Sequence, residues 1–124
     1  MVQTVKLNFE LANIKFNNDC CRISTKIGTY DIVKNEFDGI VIVVDDANRL
    51  EICRTDKCVK LKILTNPSNH IETQFDEDYK EILINNKHRI CLSLLSESLI
   101  KIDFHIKSNR ANDYVWLAGV SCQL

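Results

Sequence analysis

The sequence has little proline and glycine, few aromatic residues and no long hydrophobic run. One proline and three glycines in 124 residues leave no low-complexity segment and no obvious linker, so we expect one domain with one core. The longest apolar run, residues 39–44, is far shorter than the roughly 20 residues that cross a bilayer. The N-terminus lacks the basic and apolar regions of a signal peptide, so we expect an intracellular protein, cytoplasmic or peripheral to membrane or cytoskeleton.

Neither charge nor cysteine spacing indicates a nucleic-acid or metal site. The 16 basic and 17 acidic residues nearly cancel, and aromatic residues make up only 7% of the chain. Because no basic stripe is interleaved with aromatic residues, we do not expect nucleic-acid binding. The six cysteines form no Cys-x2-Cys pair and have no histidine at matching spacing, so we expect reduced thiols and no zinc.

No arrangement of residues indicates catalysis. No serine lies in a Gly-x-Ser-x-Gly turn, and no glycine-rich loop could hold a phosphate. His70, His88 and His105 lie near predicted turns or strand ends, where we expect them to be solvated. We therefore expect no catalytic residue and no cofactor.

Alternation of apolar and polar residues predicts an all-β protein. It is clearest at residues 58–64 and 99–106, where apolar residues alternate with lysines or other polar residues. Residues 39–45 are apolar on both faces, as in a central strand. The Asn-Asn-Lys sequence at residues 85–87 separates two further stretches and predicts a tight hairpin. The pattern predicts eight or nine strands in an antiparallel β-sandwich.

Three expectations concern single segments of this pattern. Residues 4–11 read as one strand with Phe9 on its apolar face, and residues 21–33 read as another extended stretch. Lys60 and Lys62 are expected to point outward from their strand. Trp116, the only tryptophan, is expected to pack in the core rather than at a binding surface.

From residue 39 to the C-terminus, the order of features resembles a C2 domain. The residues that match the family's motifs are Ala47, Leu50, Asp56, Thr73, Tyr79, Asp113 and Gly119. The resemblance implies a single eight-stranded C2-like sandwich over residues 1–124, in which residues 1–38 supply strands that complete it. A second alignment, in which residues 5–16 are the first strand of a whole-chain C2 domain, implies the same sandwich.

The resemblance implies a domain that does not depend on calcium. Calcium takes six to eight oxygen ligands, whereas His105 and Lys107 stand where the family carries a pair of aspartates. The acidic residues that remain at matching positions are too few to hold the ion: Asp56, Asp103 and Asp113. The alternative is a different acidic pocket formed by Asp45, Asp46 and Asp103.

Two groups of residues are candidate binding sites. The first is a basic face on one strand and its approach, formed by Arg54, Lys57, Lys60 and Lys62. The resemblance implies that such a face can meet anionic lipid headgroups or an acidic protein surface, although alternating lysines can also simply mark a solvent face. The second is a loop tip with His105, Lys107, Arg110 and Tyr114.

We therefore expect a calcium-independent C2-like interaction module that docks a protein partner. Two alternatives remain open. One is a peripheral membrane module that binds anionic phospholipids through the basic face, and the other is a structural sandwich that self-associates. Fold resemblance alone does not decide among them.

Overall fold

The computed structural model describes residues 2–35, 39–55, 58–65, 69–75, 78–110 and 113–124. The prediction of an all-β protein is confirmed. Within these residues lie twelve strands: β1 (Val2–Leu7), β2 (Ala12–Asn17), β3 (Cys20–Thr25), β4 (Gly28–Asn35), β5 (Gly39–Val43), β6 (Arg49–Arg54), β7 (Val59–Thr65), β8 (Asn69–Gln74), β9 (Tyr79–Ile84), β10 (His88–Leu94), β11 (Leu99–Lys107) and β12 (Tyr114–Gln123). No helix in the described ranges has the length and hydropathy to cross a membrane.

The strands form two antiparallel sheets in a sandwich-like arrangement. One sheet contains β2 to β8 in chain order, and the other has the order β1-β12-β11-β10-β9. Every pair except β1–β12 joins strands that are consecutive in the sequence. Because consecutive strands run in opposite directions, the turns at residues 8–11, 26–27, 44–48 and 85–87 all lie at one end, which we call the cleft end.

Inward-facing side chains of both sheets form one core. Ile40 and Ile42 of β5 and Ile102 and Phe104 of β11 are fully buried, and outward residues alternate with them. Burying an aliphatic or phenylalanine side chain of this size contributes about 1.5–3 kcal/mol. In β7 the predicted alternation holds as well, since the residues flanking the exposed Lys60 are buried.

The expectation of eight strands is wrong, partly because residues 4–11 do not form one strand. β1 ends at Leu7, and the Asn8 side-chain oxygen accepts a hydrogen bond from the Glu10 N–H at 3.3 Å. The Asn8 carbonyl also accepts bonds from the N–H groups of the two residues that lead into β2. An asparagine that bonds its own backbone competes with the strand, and Phe9, expected in the core, is 86% exposed in the resulting turn.

The predicted stretch of residues 21–33 likewise lies in two strands rather than one. The Thr25 hydroxyl donates to the Gly28 carbonyl at 2.9 Å and accepts from the Ile27 N–H at 3.2 Å, which closes a turn between β3 and β4. Gly28 follows with φ of 143°, a conformation that favours glycine. The third missed strand, β6, alternates buried Leu50 and Ile52 with outward Arg49 and Glu51, which form an ion pair at 3.8 Å.

The hairpin predicted at residues 85–87 is confirmed. Asn85 and Asn86 both have φ of 54°, and the Lys87 N–H donates to the Ile84 carbonyl at 3.1 Å. Two consecutive left-handed residues match the right-handed twist of the flanking strands, and asparagine tolerates this conformation well. The turn places the start of β10 at the cleft end.

Candidate functional site

The structure does not gather the predicted basic face into one surface. Lys60 and Lys62 both alternate outward along β7, on the outer side of the seven-stranded sheet. Arg54 lies at the end of β6, one residue out of step with the outward positions of that strand. Lys57 lies outside the described residues. Of the three predicted residues that the structure describes, the two lysines therefore share this surface and Arg54 does not.

The surroundings of Lys62 are mixed in charge. Across the sheet its register partners are Glu51 of β6 and Glu72 of β8. Opposite charges on facing positions stabilise neighbouring strands, and each carboxylate reduces the positive potential around the lysine. This pattern is typical of a solvent-exposed sheet face.

Three of the four loop-tip residues lie together on the outer face of the five-stranded sheet. His105 and Lys107 occupy outward positions of β11, and Lys107 pairs with Tyr114 of β12. Arg110 lies in the loop beyond the sheet, where its N–H donates to the Ser108 hydroxyl at 3.2 Å. Most of the residues predicted to form a loop tip therefore lie on the surface of a sheet.

Arg89 of β10 lies at the centre of this surface. Its guanidinium carbon is 5.2 Å from the centre of the Tyr114 ring, in cation–π contact. Its Nε atom is buried without a hydrogen-bond partner, and no carboxylate of the described residues lies within ion-pair distance. Arg89 is thus a partly buried cation without an ion-pair partner among the described residues, and the carboxylates of Glu81 and Asp103 act on this face only from a longer distance. We call the outward side chains here the Arg89 face: Arg89, His105, Lys107, Tyr114 and Trp116.

His105 is neutral and held in place. Its Nδ1 donates to the main-chain carbonyl of Arg89 at 3.3 Å, since a carbonyl can only accept. Burial, together with the positive charge of Arg89, lowers the pKa of His105 below its usual range. At neutral pH the imidazole therefore adds no charge to the face.

Trp116 faces outward and is half-buried on this surface, so the expectation that it packs in the core is wrong. Its indole N–H donates to Asp103 Oδ1 at 3.1 Å, and the other Asp103 oxygen lies 3.7 Å from the Lys101 ammonium. Gly119 is the register partner of Asp103, and a Cβ there would come within 2.6 Å of Oδ1. The missing side chain at residue 119 gives the indole and the carboxylate the room to meet.

A cleft of about 660 Å³ opens between the two sheets at the cleft end. We call it the end cleft; its lining includes Thr29, Asp46, Lys87, His88, Lys107 and Tyr30. Tyr30 of β4 and His88 of β10 join the two sheets, because the tyrosine hydroxyl is 2.5 Å from His88 Nδ1. The Tyr30 ring also stacks on Phe104, with ring centres 4.7 Å apart.

Burial decides the protonation of this pair. It raises the pKa of Tyr30 and lowers that of His88, so both are neutral near pH 7. No other described group accepts the Tyr30 hydroxyl proton, so we assign the hydroxyl as donor to Nδ1, which leaves the histidine proton on Nε2. His88 is 8% exposed, and the expectation of a solvated histidine is wrong for it because residue 88 is an inward position of β10. The side chain of His70 lies outside the described residues.

The alternative acidic pocket does not form. The Asp45 carboxylate accepts hydrogen bonds from the Ala47 N–H and the Asn48 amide at 2.8 Å each, which closes the turn after β5. Asp103 bonds Trp116 on the outer face of the other sheet. Across the described ranges, no group of three or more His, Cys, Asp or Glu side chains could hold a metal ion. Asp56 lies outside these ranges.

Tyr30, His88 and Arg89 were not predicted as site residues. Their position in the alternation is the signal that could have found them: Tyr30 shares the inward side with Ile32, and a polar residue at an inward position requires a partner. The identity of that partner, 58 residues away, was not visible in the sequence. The chain matches no protein-family model, and comparisons with curated proteins and with solved structures gave no match.

Proposed function

We propose that this chain is a calcium-independent, C2-like interaction module without catalytic activity, and that it docks an acidic segment of a protein partner on the Arg89 face. One observation carries the proposal: the partly buried guanidinium of Arg89 stacks on Tyr114 but has no acceptor for its buried Nε–H. Buried polar groups nearly always have hydrogen-bond partners, and a buried unpaired charge is costly. A carboxylate from a partner would supply both the acceptor and the counter-charge.

The composition of the face supports a protein partner. Trp, Tyr and Arg are the residues that dominate binding hot spots. Trp116 and Tyr114 lie on β12 and Arg89 lies on β10, with β11 between the two strands. The bond to Asp103 fixes the orientation of Trp116 before binding, and the cation–π stack fixes those of Arg89 and Tyr114. Because the side chains are already ordered, association loses less conformational entropy.

The experiment is a selection of random displayed peptides on the purified chain, followed by fluorescence anisotropy with the selected sequences. We expect enrichment of Asp and Glu. Removing one member of a desolvated charge pair costs about 2–5 kcal/mol, so Arg89→Gln should weaken binding by about 30-fold or more. Lys60→Gln, an exposed residue on the other sheet, is the matched control and should change the affinity little. Equal binding to wild type and Arg89→Gln would refute the assignment of the face.

Further arms of the same experiment address calcium and the two alternative functions. Affinities in calcium and in chelator should agree, because the proposal contains no metal ligand. Binding to anionic vesicles that Lys60→Gln and Lys62→Gln abolish, while Arg89→Gln does not, would favour the phospholipid alternative. Concentration-dependent self-association that Arg89→Gln abolishes would make a second copy the occupant and would overturn the proposal of a different partner.

A further inference from the structure

We infer that the open edge of β8 pairs with β8 of a second copy of this chain, so that two seven-stranded sheets join into one. β8 is the last strand of its sheet, and among the described residues it pairs only with β7. An edge strand presents main-chain N–H and C=O groups that can pair with another chain. This edge belongs to the seven-stranded sheet, so the inference does not depend on the Arg89 face.

The hydrogen-bond pattern shows which main-chain groups of β8 point away from β7. In an antiparallel pair, facing residues alternate between pairs that exchange N–H···O bonds and pairs that do not. The Phe75 N–H donates to the Val59 carbonyl at 2.7 Å, and these two residues continue the register of the two strands. Counting along the strands in steps of two, Ile63 and Ile71 form a hydrogen-bonded pair. The main-chain groups of the two residues that flank Ile71 therefore point towards the open edge.

An apolar row of side chains ends at this edge. Leu50 of β6, Ile63 of β7 and Ile71 of β8 are register partners, so they share the inward side of the sheet. Leu50 is fully buried, Ile63 is half-buried and Ile71 is 65% exposed. Exposure therefore rises along the row towards the edge. A strand added there would cover Ile71, and burial of an apolar side chain is favourable.

The sequence of β8 is complementary to itself. When two copies pair antiparallel about Ile71, the two isoleucines face each other, and each Glu72 faces a histidine, residue 70, rather than a second carboxylate. Apolar cross-strand pairs stabilise a sheet, whereas like charges directly opposite each other destabilise it. The same register brings residue 72 of each copy opposite residue 70 of the other, and each of these pairs can exchange two main-chain hydrogen bonds. A second copy of this chain therefore fits the edge.

Two other edge strands lack this match. In β9 a pairing of two copies that joins the exposed Tyr79 to the exposed Leu83 places the two Glu81 carboxylates directly opposite each other. In β1 the register shifts between Val2 and Thr4, and such a bulge protects an edge from pairing. β9 therefore offers a matched control for substitutions in β8.

The test is analytical ultracentrifugation of the whole chain in a reducing buffer, at concentrations up to about 1 mM because an interface of two strands is small and weak. We expect an equilibrium between monomer and dimer. Ile71→Lys places two ammonium groups at the axis, so it should raise the dissociation constant of the dimer at least about tenfold. Leu83→Lys makes the same change on β9 and should leave the constant nearly unchanged. Both side chains are exposed, so neither substitution threatens folding.

Cysteine cross-linking tests the register of the dimer. Facing residues of an antiparallel pair lie about 4.5–5.5 Å apart at Cα, within the range of a disulfide. Mild oxidation should therefore link Ile71→Cys into a covalent dimer. Glu72→Cys should link no more than wild type, because the two residues 72 lie about two residues apart along the strands, beyond the reach of a disulfide. Wild type measures the background from the six native cysteines.

Three results would overturn the inference. The first is a chain that stays monomeric at about 1 mM, where even weak interfaces associate. The second is a dimer that Leu83→Lys weakens as much as Ile71→Lys, and the third is cross-linking of Glu72→Cys as strong as that of Ile71→Cys. Arg89→Gln should leave the dimer intact. A dimer that Arg89→Gln abolishes and Ile71→Lys does not would place the second copy on the Arg89 face, and would overturn both proposals.

Discussion

Removing the Tyr30 hydroxyl tests the bond that joins the two sheets. Tyr30→Phe keeps the buried ring and its stack on Phe104, and deletes only the group that is 2.5 Å from His88 Nδ1. A typical internal hydrogen bond contributes about 1 kcal/mol net, and a buried acceptor left without a partner costs about 1–3 kcal/mol. Water in the end cleft can hydrogen-bond to the unpaired group and so offset part of this cost. We therefore expect a loss of about 2 kcal/mol in the free energy of unfolding.

The assay is equilibrium unfolding in urea, followed by the fluorescence of Trp116. The matched control is Tyr79→Phe, which removes a hydroxyl 3.1 Å from the Cys91 sulfur on a ring that is half-exposed. A surface change of that kind should stay within about 0.5 kcal/mol. If Tyr30→Phe unfolds at the same urea concentration as wild type with the same slope, the cross-sheet bond contributes nothing and the reasoning fails.

Three further predictions concern two glycines and one histidine. In Gly39→Ala the new methyl group would collide with the Ile52 carbonyl of the adjacent strand. Thermal unfolding should therefore show that the free energy of unfolding falls by about 2–3 kcal/mol or more. A stability close to that of wild type would contradict the predicted collision. In Gly119→Ala the Cβ would displace Asp103 from the Trp116 indole. The fluorescence emission of the folded protein should therefore change, and the free energy of unfolding should fall by about 1–2 kcal/mol. An unchanged emission spectrum would show that the bond survives. Burial lowers the pKa of His88. Because histidines of the unfolded chain titrate near 6.5, the folded chain binds fewer protons than the unfolded chain at lower pH. The urea midpoint should therefore fall as the pH drops below about 6.5, and a rising midpoint would contradict this sign.

The fold could be predicted where a strand obeys simple alternation, and it could not where a side chain ends the strand. Ile100, Ile102 and Phe104 are inward as the pattern requires. The breaks at Asn8 and Thr25 depend on a side chain that bonds its own backbone in preference to continuing a strand. Both conformations are compatible with the local sequence, and the tertiary packing selects between them.

The sites were harder to predict because their groups come together across the sandwich or across strands. Lys107 and Tyr114 were identified individually, but their role depends on Arg89, which alternation places on the same face. For Lys62 the opposite holds. Its charge is visible in the sequence, but the acidic residues that flank it belong to other strands and become neighbours only through the sheet register.

The start of β10 contributes one residue to the cleft between the sheets and the next to the Arg89 face, because consecutive residues of a strand point to opposite faces. His88 lies at the floor of the end cleft, and Arg89 lies on the outer face of the same sheet. A shift of register by one residue would exchange them, so the tight turn that ends at Lys87 fixes the position of each. Arg89→Gln should therefore leave the cross-sheet bond between Tyr30 and His88 intact, and Tyr30→Phe should leave peptide binding on the Arg89 face intact, so that the two faces can be tested separately.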